Sequence, residues 1–82
     1  MAQVQILAFA GVRDVIGADS VGIDVEDGLS PDELLSALCE RYPALAAYRG
    51  SIRVAINGCY TQGSERVVSG DEVALIPPVA GD

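Results

Sequence analysis

The sequence predicts an α+β domain in which one amphipathic helix lies across a mixed sheet of four or five strands. Three observations lead there. Short stretches near residues 3–9, 20–25, 52–56 and 72–76 alternate apolar and polar residues at the two-residue period of a half-buried strand. A single stretch between Ser30 and Pro43 carries the helical period instead. Each apolar face must be covered, and with one long helix available the economical packing is that helix across one sheet.

The first strand is expected over Gln3–Phe9, with Val4, Ile6 and Ala8 facing the core and Leu7 and Phe9 on the opposite face. Gly11 is expected to break it, and Val12–Ile16 followed by Gly17 reads as a short helix with a glycine stop. Ser20–Val25 places Val21, Ile23 and Val25 inward, and Asp27-Gly28 closes it as a turn. The first two strands then pair like a hairpin with the short helix in their connection.

Ser30-Pro31-Asp32-Glu33 is a helix start: a Ser N-cap, Pro at the first helical position, and Glu three residues after the Ser to complete a capping box. Leu34, Leu35, Leu38, Cys39 and Tyr42 form one apolar stripe, and Pro43 ends the helix. Cys39, inside that stripe, reads as a core thiol. Pro43–Gly50 is a compact connection with Leu45, Ala46 and Tyr48 available to pack. Ile52–Ile56 is a strand, Asn57-Gly58 a two-residue hairpin turn, and Cys59–Thr61 a short return strand in which Cys59 is exposed and incidental. Gln62–Arg66 is polar loop with Val67-Val68 packed beneath it. Ser69-Gly70-Asp71 turns the chain into the last strand, Glu72–Ile76, with Val73 and Leu75 inward and Ala74 and Ile76 outward.

Pro77 and Pro78 donate no backbone hydrogen bond, so they end the ladder and hold the remaining residues extended. Residues 1–76 are therefore expected to form the domain and 77–82 an outward tail of small residues, slim enough to thread a narrow channel.

Eighty-two residues make one domain with room for one core and no deep enzymatic cleft. Twelve acidic against five basic residues give a net charge of −7, which argues against nucleic acid or an anionic membrane as partner and favours a basic protein surface or cationic pocket. With no secretory signal and no apolar run of about 18 residues, the cytoplasm is the expected compartment. Two cysteines do not make a disulfide framework or an iron–sulfur site, and without histidine a zinc site or a His-based relay is not expected.

Three segments together resemble one known family. Ile6-Leu7-Ala8-Phe9-Ala10-Gly11-Val12-Arg13-Asp14-Val15-Ile16-Gly17 is similar to the opening of the MoaD family, the small subunit of molybdopterin synthase and a branch of the ubiquitin-like MoaD/ThiS sulfur carriers. Val54-Ala55-Ile56-Asn57 and Ser69-Gly70-Asp71-Glu72-Val73-Ala74-Leu75-Ile76-Pro77-Pro78-Val79-Ala80-Gly81 are similar to its middle and end. The resemblance implies a ubiquitin-like β-grasp fold: a mixed four- to five-stranded sheet packed on one main helix plus a short helix. It also implies a mechanism in which the carboxylate of a Gly-Gly tail is adenylated by an E1-like, MoeB-like activating enzyme and converted to a thiocarboxylate. That sulfur passes to precursor Z within a complex with the MoaE-like large subunit. The ATP belongs to the activating partner; the carrier binds no cofactor and supplies no acid, base or metal. Phe9, Tyr60 and Ile76 match positions where the family presents hydrophobic residues to partners, with Pro77, Pro78, Val79 and Ala80 as the arm behind the reactive end.

The chain departs from the family at that end, which reads Gly81-Asp82 in place of Gly-Gly. Gly81 matches the penultimate glycine, and Asp82 stands where the reactive glycine belongs. An aspartate there adds bulk in a channel shaped for glycine and brings a second negative charge toward ATP phosphates. Its β-carboxylate is also placed to close a five-membered anhydride on the activated α-carboxyl, a type of intramolecular attack with effective molarities on the order of 10⁵ M. The expectation is a poor sulfur acceptor that still binds partners through its sheet face. Two alternatives are a ThiS-like carrier for another sulfur pathway and a β-grasp binding module that transfers nothing.

Overall fold

The computed structural model describes residues 1–77. Alternation in the first strand sets the two faces of the sheet. In β1 (Ala2–Ala8), Ala2, Val4, Ile6 and Ala8 are buried while Gln3 and Gln5 are exposed. The chain continues through α1 (Ala10–Ile16), β2 (Ser20–Val25), α2 (Pro31–Arg41), a 3₁₀ helix (Pro43–Tyr48), β3 (Arg53–Ile56), β4 (Cys59–Tyr60) and β5 (Glu72–Ile76). The five strands form one sheet in the order β2-β1-β5-β3-β4, with β1 and β5 parallel at its centre and the other pairs antiparallel. This is the mixed sheet the sequence predicts. Among the described residues, no helix is long and apolar enough to cross a membrane.

The α2 start is built as the capping box requires: the Glu33 amide donates to Ser30 Oγ (3.1 Å) and the Ser30 amide to Glu33 Oε1 (2.9 Å). The Ser30 amide first, and then the Ser30 side chain, hold the Glu33 carboxyl below its ordinary value of 4.5. Leu34 and Leu38 are fully buried in one cluster with Ile6, Val73 and Leu75, and Leu45 of the 3₁₀ helix joins them. Each such side chain contributes about 1.5–3 kcal/mol on burial, which makes this cluster the main support of the fold. Cys39 and Tyr42 are half-buried at its margin.

Two local expectations are corrected. The first strand ends before Gly11: Phe9 is the N-cap of α1, Ala10 takes φ 48°, and Gly11 lies within the helix. A Cβ on Gly11 would make only ordinary contact with the Tyr48 ring, its hydroxyl at 3.4 Å, so the glycine neither breaks the strand nor is required by a close approach. The second concerns Val67-Val68, of which only Val67 is buried; Val68 is 55% exposed. Its amide is drawn to the Asp71 carboxylate (2.9 Å), which turns its side chain to solvent.

Asp71 is the one buried charged residue among those described. Its Oδ2 accepts from the Val68 amide, and its Oδ1 accepts from Asn57 Nδ2 at 3.0 Å. Asn57 Oδ1 accepts from the Glu72 amide at 3.0 Å, and the Asn57 amide donates to the Glu72 carbonyl at 2.8 Å. Asn57 and Gly58 both have positive φ (52° and 85°), as a type I′ hairpin turn needs. The β3–β4 turn is thereby fastened to the beginning of β5, and the middle and C-terminal motifs of the sequence form one hydrogen-bonded unit.

Candidate functional site

The reverse face of the sheet, away from α2, holds the candidate surface. Since Val54, Val73 and Leu75 point to the core, their neighbours Arg53, Ala55, Ala74 and Ile76 point outward. Registers align Leu7 with Ala74, Ala74 with Ala55, and Ala55 with Tyr60, giving one apolar row across four strands. The next row pairs Ile76 with Arg53. Phe9, two residues beyond Leu7 and still extended (φ −131°, ψ 149°), continues the outward parity of β1 toward that row. The opposite end of the face is polar, with Gln3, Gln5, Asp24 and Glu72. The apolar half therefore lies at the end from which the chain leaves β5.

Phe9 is 48% and Tyr60 59% exposed, whereas Ile76 and Pro77 are half-buried. Phe9 and Ile76 lie at neighbouring central strands; Tyr60 lies on the edge strand, with β3 between it and β5. Arg53 bridges that gap, its guanidinium carbon 5.9 Å from the centre of the Tyr60 ring. Such a contact contributes about 0.5–1 kcal/mol at an exposed site and fixes the ring and the cation together. Pro78, Val79, Ala80, Gly81 and Asp82 lie outside the described residues.

Sequence reading did not single out Arg53, Leu7, Ala55 or Ala74 as part of this surface. Their outward parity was readable, but only the pairing order brings them beside Phe9, Ile76 and Tyr60. The surface presents apolar side chains and one cation, an arrangement suited to docking a protein. The two carboxyls with shifted pKa serve turns and caps instead: Glu65, like Glu33, is held below 4.5, chiefly by the Gln62 amide, which donates to it at 2.9 Å.

One helix across this five-stranded mixed sheet, with the last strand parallel to the first and a chain end leaving beside an apolar face, defines a ubiquitin-like β-grasp protein. The sequence matches the model of the ThiS family over residues 6–81, and the chain belongs to that family. It is 37% identical to the molybdopterin synthase sulfur carrier subunit of Aedes aegypti, over 96% of this chain and 88% of that one. Among solved structures it is similar to a putative molybdopterin converting factor, subunit 1, from Pyrococcus furiosus (TM-score 0.84, 25% identity, 96% of this chain and 100% of that one). It is also similar to the small archaeal modifier protein 1 of Haloferax volcanii (TM-score 0.83, 32% identity, 96% and 100%).

Proposed function

We propose that the chain is the sulfur-carrier small subunit of molybdopterin synthase, acting in molybdenum cofactor biosynthesis. The observation that carries this is the apolar face of Phe9, Leu7, Ala74, Ile76 and Tyr60 at the exit of the last strand, in a chain whose relatives carry that name. The face docks the large subunit, and the tail beyond Pro77 carries the sulfur to precursor Z. An E1-like enzyme activates the tail carboxylate with ATP, on its own nucleotide site, and the reaction takes place in the cytoplasm. The chain's contribution is positional: the sheet presents the docked face beside the strand from which the tail departs, and the tail's small residues, Val79, Ala80 and Gly81, add little bulk behind the reactive carboxylate.

One residue favours a second reading. Asp82 follows Gly81 at the position the family gives to glycine, and a polypeptide ending at Asp82 is expected to dock without transferring sulfur. Reconstitution tests both readings. The chain and its Asp82→Gly form are each combined with the large subunit, activating enzyme, ATP, a sulfur donor and precursor Z, and molybdopterin is measured. Product from the glycine form supports the carrier reading, and its absence there overturns it. Product from the aspartate form at a similar rate overturns the second reading.

A further inference from the structure

Arg49 and Arg53 are two of only five basic residues in a chain of net charge −7. Both line one open groove of about 310 Å³ beside Tyr60, between the start of α2 and the β3–β4 edge, with Leu35, Ile52 and Val54 among its apolar walls. Asp32 is the one carboxylate among the lining residues. It projects into solvent, its side chain 86% exposed, and its carboxylate and backbone carbonyl accept from Arg49 Nη2 (3.1 and 3.4 Å), leaving the other Arg49 nitrogens for a further acceptor. Glu65, in the loop that borders the groove at Gly63, spends its carboxylate on the Gln62 and Gly63 amides at 2.9 Å. Among the described residues Arg53 makes no ion pair. Its guanidinium carbon lies 5.9 Å from the centre of the Tyr60 ring, a cation–π contact that leaves its N–H donors available to an acceptor.

The groove is continuous with the apolar face. Arg53 pairs with Ile76, and Tyr60 belongs to both surfaces. The groove opens on the α2 side of the sheet and meets the apolar face at the β3–β4 edge, so a protein seated on Phe9, Ile76 and Tyr60 borders the groove at that edge. Elsewhere the chain's charge repels an acidic approach; here two arginines against one carboxylate attract it. We infer that this groove receives an acidic segment of the large subunit, a carboxylate lying across Arg53 and Arg49, and that it sets the orientation of the docked partner. This rests on the sulfur-carrier reading and adds the chemistry of the surface that must face this one.

Calorimetric titration of the full chain with the large subunit, at low and at high salt, tests it. Arg53→Glu is expected to weaken binding about tenfold or more at low salt and to flatten its salt dependence, because a charge pair at an interface is steered by and screened with ions. Arg53→Lys, which keeps the charge, should stay within about threefold of the unaltered chain, and Asp32→Asn, which removes the competing carboxylate, should bind about twofold tighter. Circular dichroism checks each fold, and Arg53→Gln replaces Arg53→Glu should the reversal unfold the edge strand. Binding of Arg53→Glu or Arg53→Gln within about twofold of the unaltered chain, with the same salt dependence, overturns the inference alone. Absence of binding by the unaltered chain overturns the carrier reading and this inference with it.

Discussion

Exchanging the side chains of Asn57 and Asp71 tests whether the two motifs of the sequence are joined as the structure shows. Asp71 accepts two hydrogen bonds, from Asn57 Nδ2 and the Val68 amide, while Asn57 Oδ1 accepts from the Glu72 amide. An amide side chain at position 71 offers one oxygen and one NH₂ group, so whichever way it lies one of those donors faces a donor. Asp71→Asn should therefore cost about 2 kcal/mol, the order of a lost hydrogen bond to a charged group together with an unsatisfied donor. For a domain of this size that lowers the thermal midpoint by roughly 8–16 °C. Asn57→Asp alone places two carboxylates against each other and should cost at least as much. The double exchange restores every bond, with only the side chain–side chain one reversed in direction. The side-chain amide now at position 71 donates to the carboxylate now at position 57, and its oxygen accepts from the Val68 amide. The second oxygen of the new carboxylate accepts from the Glu72 amide. Aspartate also tolerates the left-handed conformation at position 57, where φ is 52°. Denaturant unfolding of the four proteins in a double-mutant cycle should show a coupling of about 3 kcal/mol, with the double exchange within about 1 kcal/mol of the original. A double exchange as unstable as the sum of the two single changes would refute this reasoning.

The core, the reverse face and the two shifted carboxyls each give a further expected outcome. Leu38→Ala, at a fully buried position, should lose about 2–5 kcal/mol in denaturant unfolding. Tyr60→Ala should weaken large-subunit binding about tenfold, as truncation of an aromatic anchor does, while changing stability by less than about 1 kcal/mol because the ring is mostly exposed. Glu33 and Glu65 titrate below 4.5 in the folded chain, so the stability each lends is complete above that value and is lost as pH falls through the lower folded-state value. Thermal midpoints of Glu33→Gln and Glu65→Gln should therefore lie below the original at neutral pH and converge on it in acid; a gap constant with pH would contradict the assignment.

Much of this architecture was legible in the sequence because each signal is local. The Ser30–Glu33 capping box, the Asn57-Gly58 turn and the parity of Val4, Ile6, Val73 and Leu75 depend on neighbours a few residues away, and the structure reproduces them. Long-range features were not readable. The parallel pairing of β1 with β5 depends on contacts between residues such as Ile6 and Val73, and no local pattern specifies it. The apolar row from Leu7 to Tyr60 and the position of Arg53 between Ile76 and Tyr60 are consequences of that pairing. Gly11, expected to break the strand, lies instead within α1 after the positive-φ Ala10, a start that no local cap signal marks. The family resemblance supplied the function of the tail, which no periodicity carries.

Mass spectrometry of the chain after incubation with the activating enzyme, ATP and a sulfur donor addresses sulfur carriage most directly. On the Asp82→Gly form, replacement of one carboxylate oxygen by sulfur is expected, with no stable product on a polypeptide ending at Asp82. A stable thiocarboxylate on the aspartate form would contradict the role given to Asp82, and failure of the glycine form to acquire sulfur would contradict the sulfur-carrier function itself.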